Sequence, residues 1–559
     1  MRRAQLIRRV WLEDPHRRQL GWGMPADTMQ CRDIRSNIAI LQLRSVCYDG
    51  VGNRSFSLNF VLTEWRLMSR SIRRRAFIKT VGGASTAALL PQVLTGCATG
   101  RKRRPNILWI AVEDISPLMS CYGYTANPTP NLDNLAAGGV RFANTFMPAP
   151  VCSPCRSAMI TGMMQTTTGL HNHHSSRSRE TAIRLPEGIR TLPELFGDAG
   201  YFTFNHGKDD YNFWYDREDL YTGEYTTHEL YGKSGRSIDW KAREPGQPFF
   251  GQIQLRGGKH IYNRSFPDMV RQPVSRTGFD LPPYYPGHPM IREDWARHLD
   301  SIQVTDDEVG DIIDRLRQDG LLDDTVIFFF SDHGMRLWRH KQFCYDSGLH
   351  VPFIMSWSGD PGRIGGAGTV RDDLVNGLDI AATSLGLAGI PVPDHMESRD
   401  LFSRRFTPRE FVISARDRCD FTIDRIRTVR TERFRYIRNF LTDRPYMQPN
   451  YRDDWEITQV MRRLHDEGEL DAVQDRFWAE DRPAEEFYDL EQDPHEIHNL
   501  AGDPSFSEEL QLHRAILDSW IMETDDKGQY PEDVPNLRYM FDWWGERCVN
   551  PEYDIFRNR

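Results

Sequence analysis

Pro105-Asn106-Ile107-Leu108-Trp109-Ile110-Ala111-Val112-Glu113-Asp114 is a continuous apolar run that ends in two acids. A run without polar alternation predicts a buried strand of a parallel sheet, covered on both faces. The pattern recurs at Thr325-Val326-Ile327-Phe328-Phe329-Phe330-Ser331, followed by Asp332-His333-Gly334. Ligands of open α/β sheets bind outside the carboxyl ends of the strands. Adjacent carboxylates there repel each other unless a cation or a proton intervenes. The pair of tipped strands therefore predicts a hard-metal site, since Ca²⁺ takes oxygen ligands. An acidic turn would explain one such stretch but not its repetition.

Between and around these strands the pattern alternates. Thr129–Ala137 and Asp300–Gln318 are helical, the second with Ile302, Val309, Ile312, Ile313 and Leu316 on one face. Tyr201–Asn205 and Phe249–Leu255 read as further strands. Strand and helix in alternation predict a mostly parallel sheet between helices, an α/β fold, over residues 105–400. From about residue 401 the character changes. Phe421–Phe440 alternates apolar and basic residues, which predicts antiparallel strands with one wet face. Glu486–Leu490 reads as an edge element.

Cys152-Ser153-Pro154-Cys155-Arg156 begins a second informative stretch that closes on Thr161-Gly162. Proline is tolerated in a first helical turn, so a helix is expected to begin near Pro154. That puts residue 152 at the positive end, where an oxyanion is favoured, with Arg156 as a fixed cation nearby. The alternative is an ordinary helix start with two structural cysteines. A zinc or redox pair is excluded by the lack of a second Cys-x-x-Cys or His pair and of a thioredoxin-like context.

Composition narrows the partners. Hydrophobic residues make up 39% of 559, enough for a large core, and nine irregularly spaced cysteines form no disulfide framework. Residues 1–97 carry 16 lysines and arginines against 6 acids; with −9 for the whole chain, the remainder stands at −19. A domain that acidic is a poor general polyanion binder, so nucleic acid is excluded and any anionic substrate needs a focused pocket. Ser71-Ile72-Arg73-Arg74-Arg75-Ala76-Phe77-Ile78-Lys79 resembles a twin-arginine export motif, and residues 81–90 form a short apolar segment. Leu94-Thr95-Gly96-Cys97 resembles a lipoprotein processing box, which would lipidate Cys97; a cut elsewhere would release a soluble protein. Residues 68–97 are thus expected to be an export signal, 98–104 a basic linker, and 1–67 a gene-model extension upstream of Met68. The alternative for 1–67 is a genuine region that buries an export signal mid-chain. A periplasmic or envelope lipoprotein follows, touching membrane only through its lipid.

The ordered set resembles the formylglycine-dependent sulfatases of the alkaline phosphatase-like superfamily. It comprises Asn106–Leu108 with Glu113-Asp114, Pro130-Asn131-Leu132-Asp133, the Cys152 motif, Gly207-Lys208, and Ser331–Gly334 with Val351-Pro352. The resemblance spans most of residues 105–540. It implies that a separate maturase oxidises Cys152 to Cα-formylglycine, whose hydrate attacks sulfur. It implies Ca²⁺ against that residue, with Glu113, Asp114, Cys152, Asp332 and His333 as its surroundings. Glu113 replaces the usual Asp, and His333 the frequent Asn. Lys208 and Lys341 match lysines that grip sulfate. Gly207-Lys208-Asp209-Asp210 lacks the family histidine, so the base is Asp210 or one of His171, His173 and His174. The leaving-group acid falls on Lys259 or His260 of Gly257-Gly258-Lys259-His260, according to whether one residue is inserted. Arg427–Phe440 with Glu485–Pro504 is similar to the heparan N-sulfatase branch, implying a small C-terminal antiparallel sheet with a helix over Ser507–Glu523, within 401–559. The expected substrate is a sulfated carbohydrate bearing esters or sulfamates. The other readings are a phosphonate monoester or phosphodiester hydrolase of the same superfamily, and an inactive glycan-binding homologue on the envelope.

Overall fold

The structure, a computed structural model, describes residues 104–176, 178–223 and 238–557. The export motif, the apolar segment, Cys97 and residues 1–67 lie outside that range.

Seven strands form the main sheet: β1 (Asn106–Val112), β2 (Gly139–Phe146), β3 (Phe202–His206), β4 (Phe249–Leu255), β5 (Thr325–Ser331), β6 (Phe353–Ser356) and β7 (Thr369–Asn376). Their order is β3-β4-β1-β5-β6-β2-β7. Every neighbouring pair is parallel except those of β6, which runs against β5 and β2. All seven residues of β1 are buried. Leu108, Ile110 and Val112 enter one core, while Ile107, Trp109 and Ala111 enter the other. Period-two alternation between two apolar layers is what an unbroken hydrophobic strand requires.

The longer helices are α1 (Pro130–Ala137), α2 (Cys152–Thr161), α3 (Pro289–Gln318), α4 (Asp379–Ala388), α5 (Glu456–Asp466), α6 (Ser507–Thr524) and α7 (Val534–Trp544); α1 to α5 contribute to the two cores on the main sheet, and α6 and α7 belong to the C-terminal part. The helix expected over 300–318 starts eleven residues earlier, at Pro289. Its first turns are rich in charge, yet Ile291, Trp295 and Leu299 extend the buried stripe. Proline at the first position and the His288 side chain accepting from the Met290 N–H define the start.

The second sheet is antiparallel, in the order β11-β10-β9-β8, built from β8 (Val412–Arg416), β9 (Ile426–Arg430), β10 (Phe434–Asn439) and β11 (Glu485–Asp489). Val429, Tyr436 and Phe487 pack on Leu510, Ile516 and Leu517 of α6. The same cluster takes Ala158 of α2, so the helix that starts at Cys152 is clamped between the two sheets. The expected wet face of Phe421–Phe440 is absent. Both faces of β9 are buried, because its arginines carry partners in with them: Arg427 with Asp526 and Asp417, Arg430 with Asp346. A buried guanidinium needs such partners.

His298 of α3 is fully buried against the Gly257-Gly258 turn, and a Cβ on Gly258 would lie 3.0 Å from its ring. Burial, with Arg336 and His340 adding, pushes its pKa down to about 3, so it is neutral in the native state. A depressed folded-state value contributes stability above the unfolded value near 6.5 that is lost as pH falls. Resistance to thermal unfolding should therefore fall below about pH 6.5. His298→Asn should flatten that limb by roughly 1.4 kcal/mol per pH unit. Identical limbs in differential scanning calorimetry would contradict this.

Candidate active site

Four adjacent strands, β3, β4, β1 and β5, end at one level. Val112 pairs with Leu255 of β4 and with Ser331 of β5, and His206 of β3 pairs with Ile253 of β4. Lys208, Lys259, Glu113, Asp114, Asp332 and His333 all follow those ends within a few residues. Backbone bonds tie the loops together. The Glu113 N–H donates to Leu255 O at 3.2 Å, Gly258 N–H to Glu113 O at 2.9 Å, and Asp332 N–H to Val112 O at 3.0 Å. Gly257 has φ +51°, and Cβ atoms on Gly257 and Gly258 would lie 2.2 and 2.5 Å from the Glu113 and Asp114 carbonyl oxygens. Two glycines are thus required for the β4 turn to rest on the β1 turn.

Cys152 is the first residue of α2, two before the expected start, and is buried at 2% exposure. The helix closes on Gly162 at φ +66°, where a Cβ would meet Met396 and Ser398. Cys152 Sγ lies 3.2 Å from His333 Nε2, and Lys341 Nζ donates to it at 3.3 Å. Burial alone would push this thiol up, but Lys208, Lys341 and Lys259 together outweigh it and hold it well below its usual range. Cys155, one turn on, faces Asp332 and the apolar interior, and burial pushes its thiol well up. The two cysteines are therefore electrostatic opposites.

The carboxylates divide into two groups. Asp114 Oδ1 accepts from Lys341 Nζ at 2.9 Å and lies 3.2 Å from His333 Nε2; Asp332 Oδ1 lies 3.6 Å from the same nitrogen. Ligand atoms of Asp114, Cys152 and His333 fall within 4.8 Å of one another. Buried carboxylate oxygens with one imidazole form a donor set suited to a divalent cation. Glu113 turns to Lys208 at 3.3 Å, to Arg156 at 3.7 Å and to Lys259. Among the described residues it belongs to none of the metal-type clusters. Burial would raise its carboxyl, but Lys208, Lys259 and Arg156 bring it below the usual range. Arg156 spans both groups. Its Nε donates to Asp332 Oδ2 at 3.0 Å and an Nη to Gln254 Oε1 at 2.7 Å.

Of the proposed bases, His173 and Asp210 are brought to Cys152; the ligand atoms of all three lie within 4.8 Å. Asp210 also pairs with Lys208 at 3.0 Å. His174 stacks on His173 at 3.7 Å and on Trp543 at 5.7 Å, and faces outward. His171 is turned away, with Asp417, Arg427, Glu532 and Asp526 as its charged surroundings. Lys259 and His260 lie in different surroundings. Lys259 pairs with Glu113, whereas His260 Nε2 lies 3.1 Å from Glu308 of α3.

Asp420 was invisible to sequence reasoning. It sits in a turn between β8 and β9 at φ +50°, 3.2 Å from His173 Nδ1 and 3.0 Å from His174 Nδ1. Burial would lower the His173 pKa, but Asp420 outweighs it and holds the imidazole well above its ordinary value. Only the fold joins the two residues; no local motif marks Arg418-Cys419-Asp420.

Comparison with known proteins places this geometry in context. The Sulfatase family model matches residues 105–390, and the model for the C-terminal part of N-sulphoglucosamine sulphohydrolase matches 333–480. An ulvan-active sulfatase of Formosa agariphila is 31% identical over 82% of this chain and 80% of its own. Human N-sulphoglucosamine sulphohydrolase is 26% identical over 76% of this chain and 91% of its own. A sulfatase structure from Bacteroides thetaiotaomicron superposes with a TM-score of 0.55 at 22% identity, over 78% of this chain and 96% of that one.

The electrostatics around Cys152 make a direct prediction for the protein with residue 152 as cysteine. Thiolate absorbance, taken as the difference from Cys152→Ser, should persist to pH values well below those of an ordinary cysteine near 8.5. Lys341→Met should raise the midpoint. An unshifted midpoint in both proteins would contradict the cation cage.

Proposed function

The chain belongs to the sulfatase family, and from that premise we propose that it hydrolyses sulfate ester or sulfamate groups of a sulfated glycan, with Cys152 matured to formylglycine as the nucleophile precursor. The observation that carries this reading is a single buried cysteine at a helix N-terminus, ringed by Lys208, Lys259 and Lys341. A tetrahedral anion needs such a cage, and lysine serves it as a point charge. The polysaccharide and glucosamine substrates named for the two relatives favour a glycan as the sulfate carrier.

Residue 152, once matured, would supply an oxygen nucleophile, and Asp114, Asp332 and His333, with Glu113 beside them, would hold a divalent cation that would supply Lewis acidity; oxygen-rich donors favour Ca²⁺. The other roles belong to side chains. Lys208 and Lys341 neutralise the sulfuryl oxygens and hold sulfur in line with residue 152. Arg156 fixes Asp332 and carries positive charge to the floor of the site. Lys259 is the proton donor to the departing oxygen or nitrogen. Burial and Lys208 oppose its charge, yet Asp114 favours it and Glu113 pairs with it, so it yields a proton only to a stronger base such as a sugar alkoxide. His173, held as the imidazolium by Asp420, lends positive charge beside residue 152. Asp210, clustered with both, is the carboxylate placed to accept the proton released there.

We further propose that a separate maturase acts on Cys152, that the twin-arginine machinery exports the folded protein, and that Cys97 becomes a lipidated N-terminus in the periplasm. These rest on the sequence motifs at 71–97. Among the described residues no helix is long and apolar enough to cross a membrane.

The test is kinetic. The matured protein should release sulfate from aryl sulfate faster than it cleaves an aryl phosphodiester; the reverse order would assign it to phosphoryl transfer. Lys259→Ala should lower desulfation of a glycan by roughly 10²–10⁴-fold, with a much smaller loss on nitrophenyl sulfate, whose leaving group needs no proton. Equal losses on both substrates would remove Lys259 as the acid.

A further inference from the structure

A second feature lies beside the catalytic cage. A cavity of about 240 Å³ opens between α3 and the start of α5. It is smaller than the roughly 300–1,000 Å³ of sites for drug-sized ligands, and suits a single ring. Two loops of the active site build its near wall. Tyr262 follows Lys259 by three residues, and Arg336 follows His333 by three. Tyr262 lies close enough to Asp114 and Lys341 to feel their charges.

The wall has an aromatic face. Tyr262 is 52% exposed, and its ring lies 5.9 Å from that of Trp455. Tyr451 supports Trp455 edge-on at 5.7 Å, and the Arg336 guanidinium lies 5.3 Å from the centre of the Trp455 ring. A half-exposed tyrosine held against a tryptophan offers a flat apolar surface at little entropic cost, and the C–H face of a sugar ring is its complement.

The charges decide which sugar. Acids outnumber bases in the lining, with Glu293, Asp294 and Glu456 against Arg297 and Arg336. Several are already committed. Arg336 pairs with Asp294, Glu293 takes Arg276 at 3.0 Å, and an Arg297 Nη donates to Ile261 O at 3.3 Å. With those pairs made, Glu456 against Arg297 leaves no net positive charge to hold an anionic unit, whereas carboxylates and committed guanidiniums serve neutral hydroxyls well. The contrast with the lysine cage a few residues away is sharp.

We propose that this cavity is a specificity subsite for one uncharged, hydroxyl-rich sugar unit next to the sulfated residue. It rests on the reading of the neighbouring site as a glycan sulfatase. Tyr262 and Trp455 supply the stacking face, and Glu456, at the first turn of α5, accepts hydroxyls.

Two measurements test it separately from that reading. In the first, kcat/KM is taken on a sulfated disaccharide with a neutral neighbour, on one with a uronate neighbour, and on aryl sulfate. Wild type should prefer the neutral neighbour. Tyr262→Ala should lower the ratio of neutral-disaccharide to aryl-sulfate kcat/KM about tenfold, chiefly through KM, and Trp455→Phe should retain most of it. A preference for the uronate neighbour, or an unchanged ratio in Tyr262→Ala, would overturn the proposal. In the second, saturation-transfer NMR probes neutral methyl hexosides on wild type and Tyr262→Ala. The transfer signal should be clear with wild type and vanish with the variant; equal signals, or none with wild type, would overturn the subsite. Failure of every sulfated substrate with hexoside binding intact would instead remove the sulfatase reading and leave the subsite standing.

Discussion

The shared level of four strand ends is the constraint on which the site depends. Parallel pairing of β1 with β4 and β5, and of β4 with β3, brings four loops out side by side. Each contributes a different chemistry: Lys208 after β3, Lys259 after β4, Glu113 and Asp114 after β1, and Asp332 and His333 after β5. α2 then presents Cys152 across them. A slip of one residue in any strand would move its loop and invert its side chains, so the apolar runs that bury these strands also hold the cage together.

The second organising fact is charge burial. Arg156 and Lys341, buried, and Lys208 and Lys259, partly exposed, face the buried Glu113, Asp114, Asp210 and Asp332. Removing one member would leave an uncompensated buried charge, which is more damaging than the loss of a surface pair. The backbone shows the same tension. Asp114, Asp210, Gln342 and Asp420 all stand at positive φ without being glycine. Left-handed non-glycine residues gathered in one place are held by their surroundings, as functional loops often require. The cage concentrates positive charge because cations from separate loops are forced together, although the domain as a whole is acidic.

Much of this was legible in the sequence, for physical reasons. β1 and β5 are unbroken apolar runs, and acids at their ends have few structural excuses. The Cys152 stretch carries its own helix start in Pro154 and its own stop in Gly162. Other features had no local signature. Asp420 reaches His173 only after the second sheet has formed. The placement of Lys259 against Glu113, and not His260, depends on the left-handed Gly257 of the turn. The early start of α3 is hidden because charged residues interrupt its first turns. The wet face expected on β9 fails because arginine pattern alone does not reveal a buried acid partner such as Asp526. Pairings between distant segments belong to the fold, not to the periodicity of any one segment.

The proposed mechanism turns on Cys152 as the precursor of an aldehyde nucleophile. The most direct measurement is peptide mass spectrometry on protein co-produced with a formylglycine-generating maturase, with hydrazide trapping and sulfate release measured on the same sample. The aldehyde mass and a hydrazone are expected at residue 152, with sulfate turnover that rises in proportion to the converted fraction. Unconverted cysteine in a protein that still releases sulfate at full rate would contradict it.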